Sequence, residues 1–145
     1  MGLLVAAAKK PPRAPKVHEQ FFRFGVIGVL GFLVDVAVLY LSVYGFHMNR
    51  YAGRVASYLA AATCTWWLNR RFTFTRADKS RPMRQWMLFL SLNVFGGIIN
   101  YLTYVFVVRI DLDRGVYLLI GVACGSLAGM IFNFMMSRVF VFRDI

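Results

Sequence analysis

The stretch Phe24–Phe46 reads FGVIGVLGFLVDVAVLYLSVYGF, an apolar run interrupted at its centre by one carboxylate, Asp35. About 20 mostly apolar residues, each rising about 1.5 Å along a helix, cross a hydrocarbon core, so this run is long enough to span a bilayer. Asp35 then sits where a charge costs about 2.5 to 3.5 kcal/mol on insertion scales. A residue so placed either serves function or pairs with a neighbour to hold helices together.

Three more runs match it in length: Tyr51–Leu68, Trp86–Val108 and Gly115–Met136. Across 145 residues, 59% are hydrophobic and mean hydropathy is +0.60, too apolar for a soluble domain with a polar surface. In lipid each backbone polar group must bond within its own segment or a closed barrel, and no run alternates as a barrel strand does. The chain is therefore expected to be all-α and integral to the membrane, with four transmembrane helices.

Residues 1–20 are expected to form a disordered basic tail. The apolar stretch Leu3–Ala8 is too short for a signal peptide, and Lys9, Lys10, Arg13 and Lys16 follow it instead of preceding it. Pro11, Pro12 and Pro15 disfavour helix there, and Ala6 stands where a myristoylation motif needs Ser or Thr. Positive charge fixes the orientation, because short loops rich in Lys and Arg stay cytoplasmic. The tail, the middle connection (Arg70, Arg71, Arg76, Lys79, Arg81, Arg84) and the C-terminus (Arg138, Arg143) carry most of it. The other two connections hold Arg50 and Arg54, and Arg109 and Arg114 offset by Asp111 and Asp113. Both termini of this multi-pass chain are thus expected in the cytoplasm. The net charge of +11 suits anionic membrane lipids; no soluble module is present to hold nucleic acid.

The chain also repeats itself. Gly53, Ser57, Ala61, Thr65 and Asn69 fall at every fourth position of the second run, as do Gly121, Gly125, Gly129, Asn133 and Ser137 in the fourth. Asn69-Arg70-Arg71-Phe72-Thr73-Phe74 parallels Ser137-Arg138-Val139-Phe140-Val141-Phe142, and Asn100 answers Asp35. Two helices return the chain to its starting side, so repeat 1 (about 21–74) and repeat 2 (about 85–142) are expected to be parallel two-helix repeats about an axis along the membrane normal.

Small residues four apart let helices approach closely, and the glycines, including Gly25, Gly28 and Gly31, are read as packing. Asn69 and Asn133, at the cytoplasmic ends of the two seams, stand beside Arg70 and Arg138. Amide donors next to guanidinium forks fit phosphate oxygens; equally, arginine at a helix end snorkels and anchors. Cys64 and Cys124 read as small packing residues, and His18 and His47 fall on opposite sides of the membrane. No catalytic constellation, metal spacing or cofactor motif is found, so an enzyme is not expected.

Arg23-Phe24-Gly25-Val26-Ile27-Gly28 leading to Asp35, then Leu68-Asn69-Arg70-Arg71-Phe72-Thr73-Phe74 and its second copy, resemble the GtrA-like family over residues 21–142. Ser137 stands for that family's usual Asn, and Gln85-Trp86 for Arg-Phe. The resemblance implies a small protein of the bacterial inner membrane in cell-surface polysaccharide synthesis, flipping polyprenyl-phosphate-linked sugars to the outer leaflet.

The combined expectation is a lipid phosphate at Arg70, Arg71 and Arg138, with amides from Asn69 and Asn133. The sugar would pass along a polar groove containing Asp35, Asn93 and Asn100. Four short helices leave little room for a sealed groove, so a homo-oligomer is expected, aided by the Gly121, Gly125 and Gly129 seam. Two rivals stand beside this: a scaffold recruiting a membrane glycosyltransferase, and a small cation or drug exporter built on Asp35.

Overall fold

The computed structural model describes residues 15–110 and 115–143, the side chains of 108, 110 and 115–119 apart. The helices are α1 (Val17–Tyr40), α2 (Arg50–Leu68), α3 (Pro82–Ile110) and α4 (Gly115–Met136). The expected tail is corrected at its far end, since residues 17–20 are helical. The Lys16 backbone N–H donates to Glu19 Oε2 at 3.2 Å, and that acid in the first turn suits the positive end of the helix dipole. Residues 1–14 of that tail, and the connection carrying Asp111, Asp113 and Arg114, lie outside the described residues.

Three helices run on into a π-helical turn: α1 into Leu41–Gly45, α2 into Asn69–Thr73 and α4 into Ser137–Val141. The last two close alike, with Phe74 N–H donating to the Asn69 carbonyl and Phe142 N–H to that of Ser137, both at 2.8 Å. Such turns insert one residue per turn and re-aim the chain leaving the helix. His47, at φ 52°, takes the left-handed conformation of a reversal, and Asn49 Oδ1 then caps α2 by accepting from Tyr51 N–H at 2.8 Å. Pro82 opens α3, where its missing N–H would have no helical partner.

α1 packs on α2 and α3 on α4, while contact between these two hairpins is sparse. Small residues make the close pairing possible. A Cβ on Gly31 would overlap the Thr65 methyl, and one on Gly96 would overlap the Asn133 side chain. A Cβ on Gly129 would meet the Gly96 carbonyl oxygen at 2.8 Å. Such approach supplies dispersion contact where lipid gives helices no hydrophobic drive to associate.

The hairpins meet at one end around an aromatic core of Phe24, Phe74, Phe89, Phe134 and Phe142, with Ala77 and Val141. Phe74 lies on Phe142, and Phe24 and Phe134 meet edge to face at 5.6 Å. The middle connection is laced over this end: Asp78 N–H donates to the Arg143 carbonyl at 3.0 Å, and Gln85 Nε2 to the Asp78 carbonyl. Arg23 Nη1 donates to the Phe72 carbonyl at 2.9 Å, tying the start of α1 to the end of α2.

Against the four expected spans, three segments among the described residues are long and apolar enough to cross a membrane: Val17–Gly45, Pro82–Val107 and Ile120–Val141. α2 falls short because Arg50, Arg54, Ser57, Thr63 and Thr65 dilute it. The molecule is an all-helical membrane protein.

Candidate functional site: an amide-lined cavity between the hairpins

Away from the aromatic core, the gap between hairpins is a cavity of about 620 Å³ to which all four helices contribute. That lies within the roughly 300 to 1,000 Å³ usual for ligand pockets. Its walls are largely apolar, with Gly28 and Gly97 keeping them open. Its polar groups come from each helix in turn: Asp35 from α1, Tyr58 and Thr65 from α2, Asn93 and Asn100 from α3, Ser126 and Asn133 from α4, with Asn69 just past α2.

Five residues singled out from the sequence, Asp35, Asn69, Asn93, Asn100 and Asn133, therefore line one space. Arg70, Arg71 and Arg138 do not line it. They stand on the π-helical turns at the aromatic end, where Arg70 Nη2 donates to the Lys79 carbonyl at 2.8 Å and its guanidinium lies 5.3 Å over the Trp66 ring. Arg71 and Arg138 are exposed.

Asp35 is paired. Its Oδ2 accepts from Arg54 Nη1 at 2.5 Å, with the carboxylate 17% and the guanidinium 57% exposed. Arg54 also reaches Ser57 Oγ at 3.5 Å, and that hydroxyl is itself fully buried. The guanidinium thus sets an opposite charge against the one carboxylate in this apolar segment. Arg54 was read from the sequence only as a loop charge. Its place four residues into α2, three before the buried Ser57, was the available clue.

The amides differ in what they have left to offer. Asn69 is 2% exposed and its Oδ1 accepts from Thr73 Oγ1 at 2.9 Å. Asn93 Nδ2 donates back to the Phe89 carbonyl at 2.8 Å, leaving its oxygen available. Asp35 Oδ1, Tyr58 OH and Asn133 Oδ1 are buried and have no partner among the described residues. Unpaired buried polar atoms cost about 1–3 kcal/mol each, and three around one cavity mark groups arranged for a ligand or for water. Amides and hydroxyls both donate and accept, as sugar hydroxyls do.

A family model described as GtrA/DPMS, transmembrane domain, matches residues 23–142. The chain belongs to this family. The match to the GtrA/DPMS transmembrane domain begins at Arg23, beside the aromatic core, and ends at Phe142 within it, so it takes in both hairpins and the whole cavity. Among curated proteins, the chain is similar to the uncharacterized membrane protein YngA of Bacillus subtilis (strain 168). They are 30% identical over 126 residues, covering 84% of this chain and 78% of that protein.

The glycine seam of α4, expected to aid a homo-oligomer, is occupied inside the GtrA/DPMS fold. Added Cβ atoms on Gly125 and Gly129 would meet Asn100 and Gly96 of α3.

Proposed function

We propose that this protein translocates a polyprenyl-phosphate-linked sugar across the bacterial inner membrane for cell-surface polysaccharide synthesis. The observation that carries the proposal is the cavity between the hairpins, apolar in its walls and fitted with Asp35, Tyr58, Asn93, Asn100 and Asn133. A sugar bonds to the amides and hydroxyls while the prenyl chain stays in hydrocarbon outside the gap. The phosphate remains at the basic turns bearing Arg71 and Arg138, the exposed members of the expected seat. No covalent step is required of the protein.

In this reading all four helices cross the bilayer, α2 included, because its Arg54 is neutralised by Asp35. The hairpins are parallel repeats that rock about the aromatic contact. Support comes from matched packing: Gly31 faces Thr65 as Gly96 faces Asn133, and Phe74 faces Phe142. Arg23, Arg70, Arg84, Arg138 and Arg143 all gather at that end, consistent with both termini being cytoplasmic. A homo-oligomer is proposed through a face other than the α4 seam. The exporter alternative is disfavoured by the Asp35–Arg54 pair, because a guanidinium beside the carboxylate opposes binding of a second cation.

The test is transfer of a fluorescent polyprenyl-phosphate hexose between leaflets of vesicles containing the purified protein. Transfer above protein-free vesicles, lost in Asn100→Ala/Asn133→Ala protein that unfolds at the wild-type temperature, is the expected result. No transfer, with a glycosyltransferase co-purifying from bacterial membranes, would replace translocation by scaffolding.

A further inference from the structure

A second, smaller cavity of about 90 Å³ shares no lining residue with the first. It lies between the middle connection, the first turn of α3 and the C-terminal segment, and its lining includes Asp78, Arg81, Arg84, Gln85, Phe140 and Arg143. It has room for a small anion such as a phosphate group.

Three guanidinium groups here face one carboxylate, and that carboxylate is turned elsewhere. Asp78 Oδ1 accepts from Ser80 N–H and Oδ2 from the Ser80 hydroxyl, both at 2.8 Å. These bonds, helped by Arg81 and Arg70, hold the Asp78 carboxyl below its ordinary range. Arg143 Nε donates to the Val139 carbonyl at 3.1 Å, which fixes its plane and leaves its terminal nitrogens to project. Neither the Arg81 nor the Arg84 side chain donates a hydrogen bond among the described residues.

The second observation is Gln85. It is 8% exposed, its Nε2 is engaged by the Asp78 carbonyl, and its buried Oε1 has no partner. A buried acceptor left without a partner marks the pocket as incomplete as it stands. A phosphate monoester, whose second pKa is about 6, carries close to two negative charges at neutral pH, and neighbouring guanidinium groups favour that dianion. A diester carries only one.

The first hairpin lacks this arrangement. Counted from Phe24 and Phe89, Glu19 stands where the second hairpin has Arg84, and Arg23, bonded to the Phe72 carbonyl, where it has Leu88. The basic pocket is therefore not a by-product of a cytoplasmic arginine belt.

We infer that this pocket binds a phosphate monoester as its dianion, with Arg84 and Arg143 forking onto its oxygens and Arg81 adding charge. The site is separate from the translocation reading and stands or falls without it. The chemistry is shared by a lipid bearing a phosphate monoester and by free phosphate.

The test uses the full chain in phosphatidylcholine nanodiscs doped with either phosphatidic acid, a monoester, or phosphatidylglycerol, a diester, with bound lipid counted by native mass spectrometry. Phosphatidic acid is expected to be retained over phosphatidylglycerol. Arg84→Gln/Arg143→Gln should lower its affinity about tenfold or more, as loss of charge-assisted bonds worth about 1.5–3 kcal/mol implies. Lys16→Gln/Lys79→Gln, which removes the same charge at exposed positions outside the pocket, should leave it unchanged. Arg84→Lys, keeping charge without the fork, should also weaken binding and covers the case of a double variant that does not fold. Displacement of phosphatidic acid by inorganic phosphate would assign the site to either source, and resistance to it to the lipid alone. Equal retention of monoester and diester, or equal loss in both double variants, would overturn the site.

Discussion

Phe74 and Phe142 lie ring on ring, their centroids 4.7 Å apart and their planes 10° apart. Each follows a π-helical turn, and they occupy matching positions in the two exit segments, so this stack joins the hairpins through equivalent residues. Phe142 is 1% exposed. Phe142→Ala is expected to destabilise by about 3 kcal/mol, the low end for a buried aromatic, because next to lipid the transfer part of the loss is weaker and the packing part remains. Thermal unfolding in detergent measures it; a change within error would show that the stack does not hold the hairpins together.

The Asp35–Arg54 pair predicts strong non-additivity. Asp35→Asn or Arg54→Gln alone strands a charge, whereas the double substitution removes both. A coupling on the order of 1–2 kcal/mol is expected, below the 3–5 kcal/mol of a fully buried pair because Arg54 is half exposed. A double-mutant cycle on unfolding temperature reads this, and additive effects would show that the two side chains do not interact.

The same carboxylate can be asked about protons. If Asp35 exchanges a proton during transport, Asp35→Asn should abolish the pH dependence of sugar-lipid transfer. Full transfer with an unaltered pH profile would eliminate proton coupling.

Glycines sort into two groups by what a methyl would meet. Gly125→Ala and Gly129→Ala bring a Cβ onto backbone oxygens of Asn100 and Gly96, which cannot swing aside. Overpacking of about 1–3 kcal/mol is expected for each. Gly28 and Gly97 have nothing within 4 Å of an added Cβ and line the cavity. Gly97→Leu should therefore unfold near the wild-type temperature yet block transfer by filling the gap. Wild-type transfer rates in Gly97→Leu would place the sugar path elsewhere.

Thr73→Val isolates one buried bond. The hydroxyl of Thr73, fully buried, donates to Asn69 Oδ1, and valine keeps the shape while leaving that oxygen unpaired. A loss of about 1–3 kcal/mol is expected. Unchanged unfolding would show that Asn69 finds another donor.

Much of the frame was legible from residue pattern. The apolar runs located α2, α3 and α4 to within a few residues, and the four-residue spacing of small side chains located the faces on which the hairpins close. The start of α1 was missed because proline and basic residues upstream suggested a longer tail, while the decisive contact was local, from Glu19 back to Lys16. The small pocket was missed for a different reason: Arg81, Arg84 and Arg143 looked like parts of one cytoplasmic belt. Only the Asp78–Arg143 backbone bond reveals that distant segments share a face.

Sequence alone determined that this chain lives in a membrane as helices, because backbone groups in hydrocarbon allow little else and length and hydropathy are written residue by residue. It also marked Asp35 as anomalous, since a charge in an apolar run is visible without coordinates. What Asp35 faces was decided only by tertiary structure. Pairing with Arg54 depends on how α1 lies against α2, and the gathering of Asn69, Asn93, Asn100 and Asn133 around one space depends on how the two hairpins are set against each other. The first arises from close packing at glycines within a hairpin and the second from a phenylalanine stack between residues 68 positions apart, contacts that no local pattern encodes.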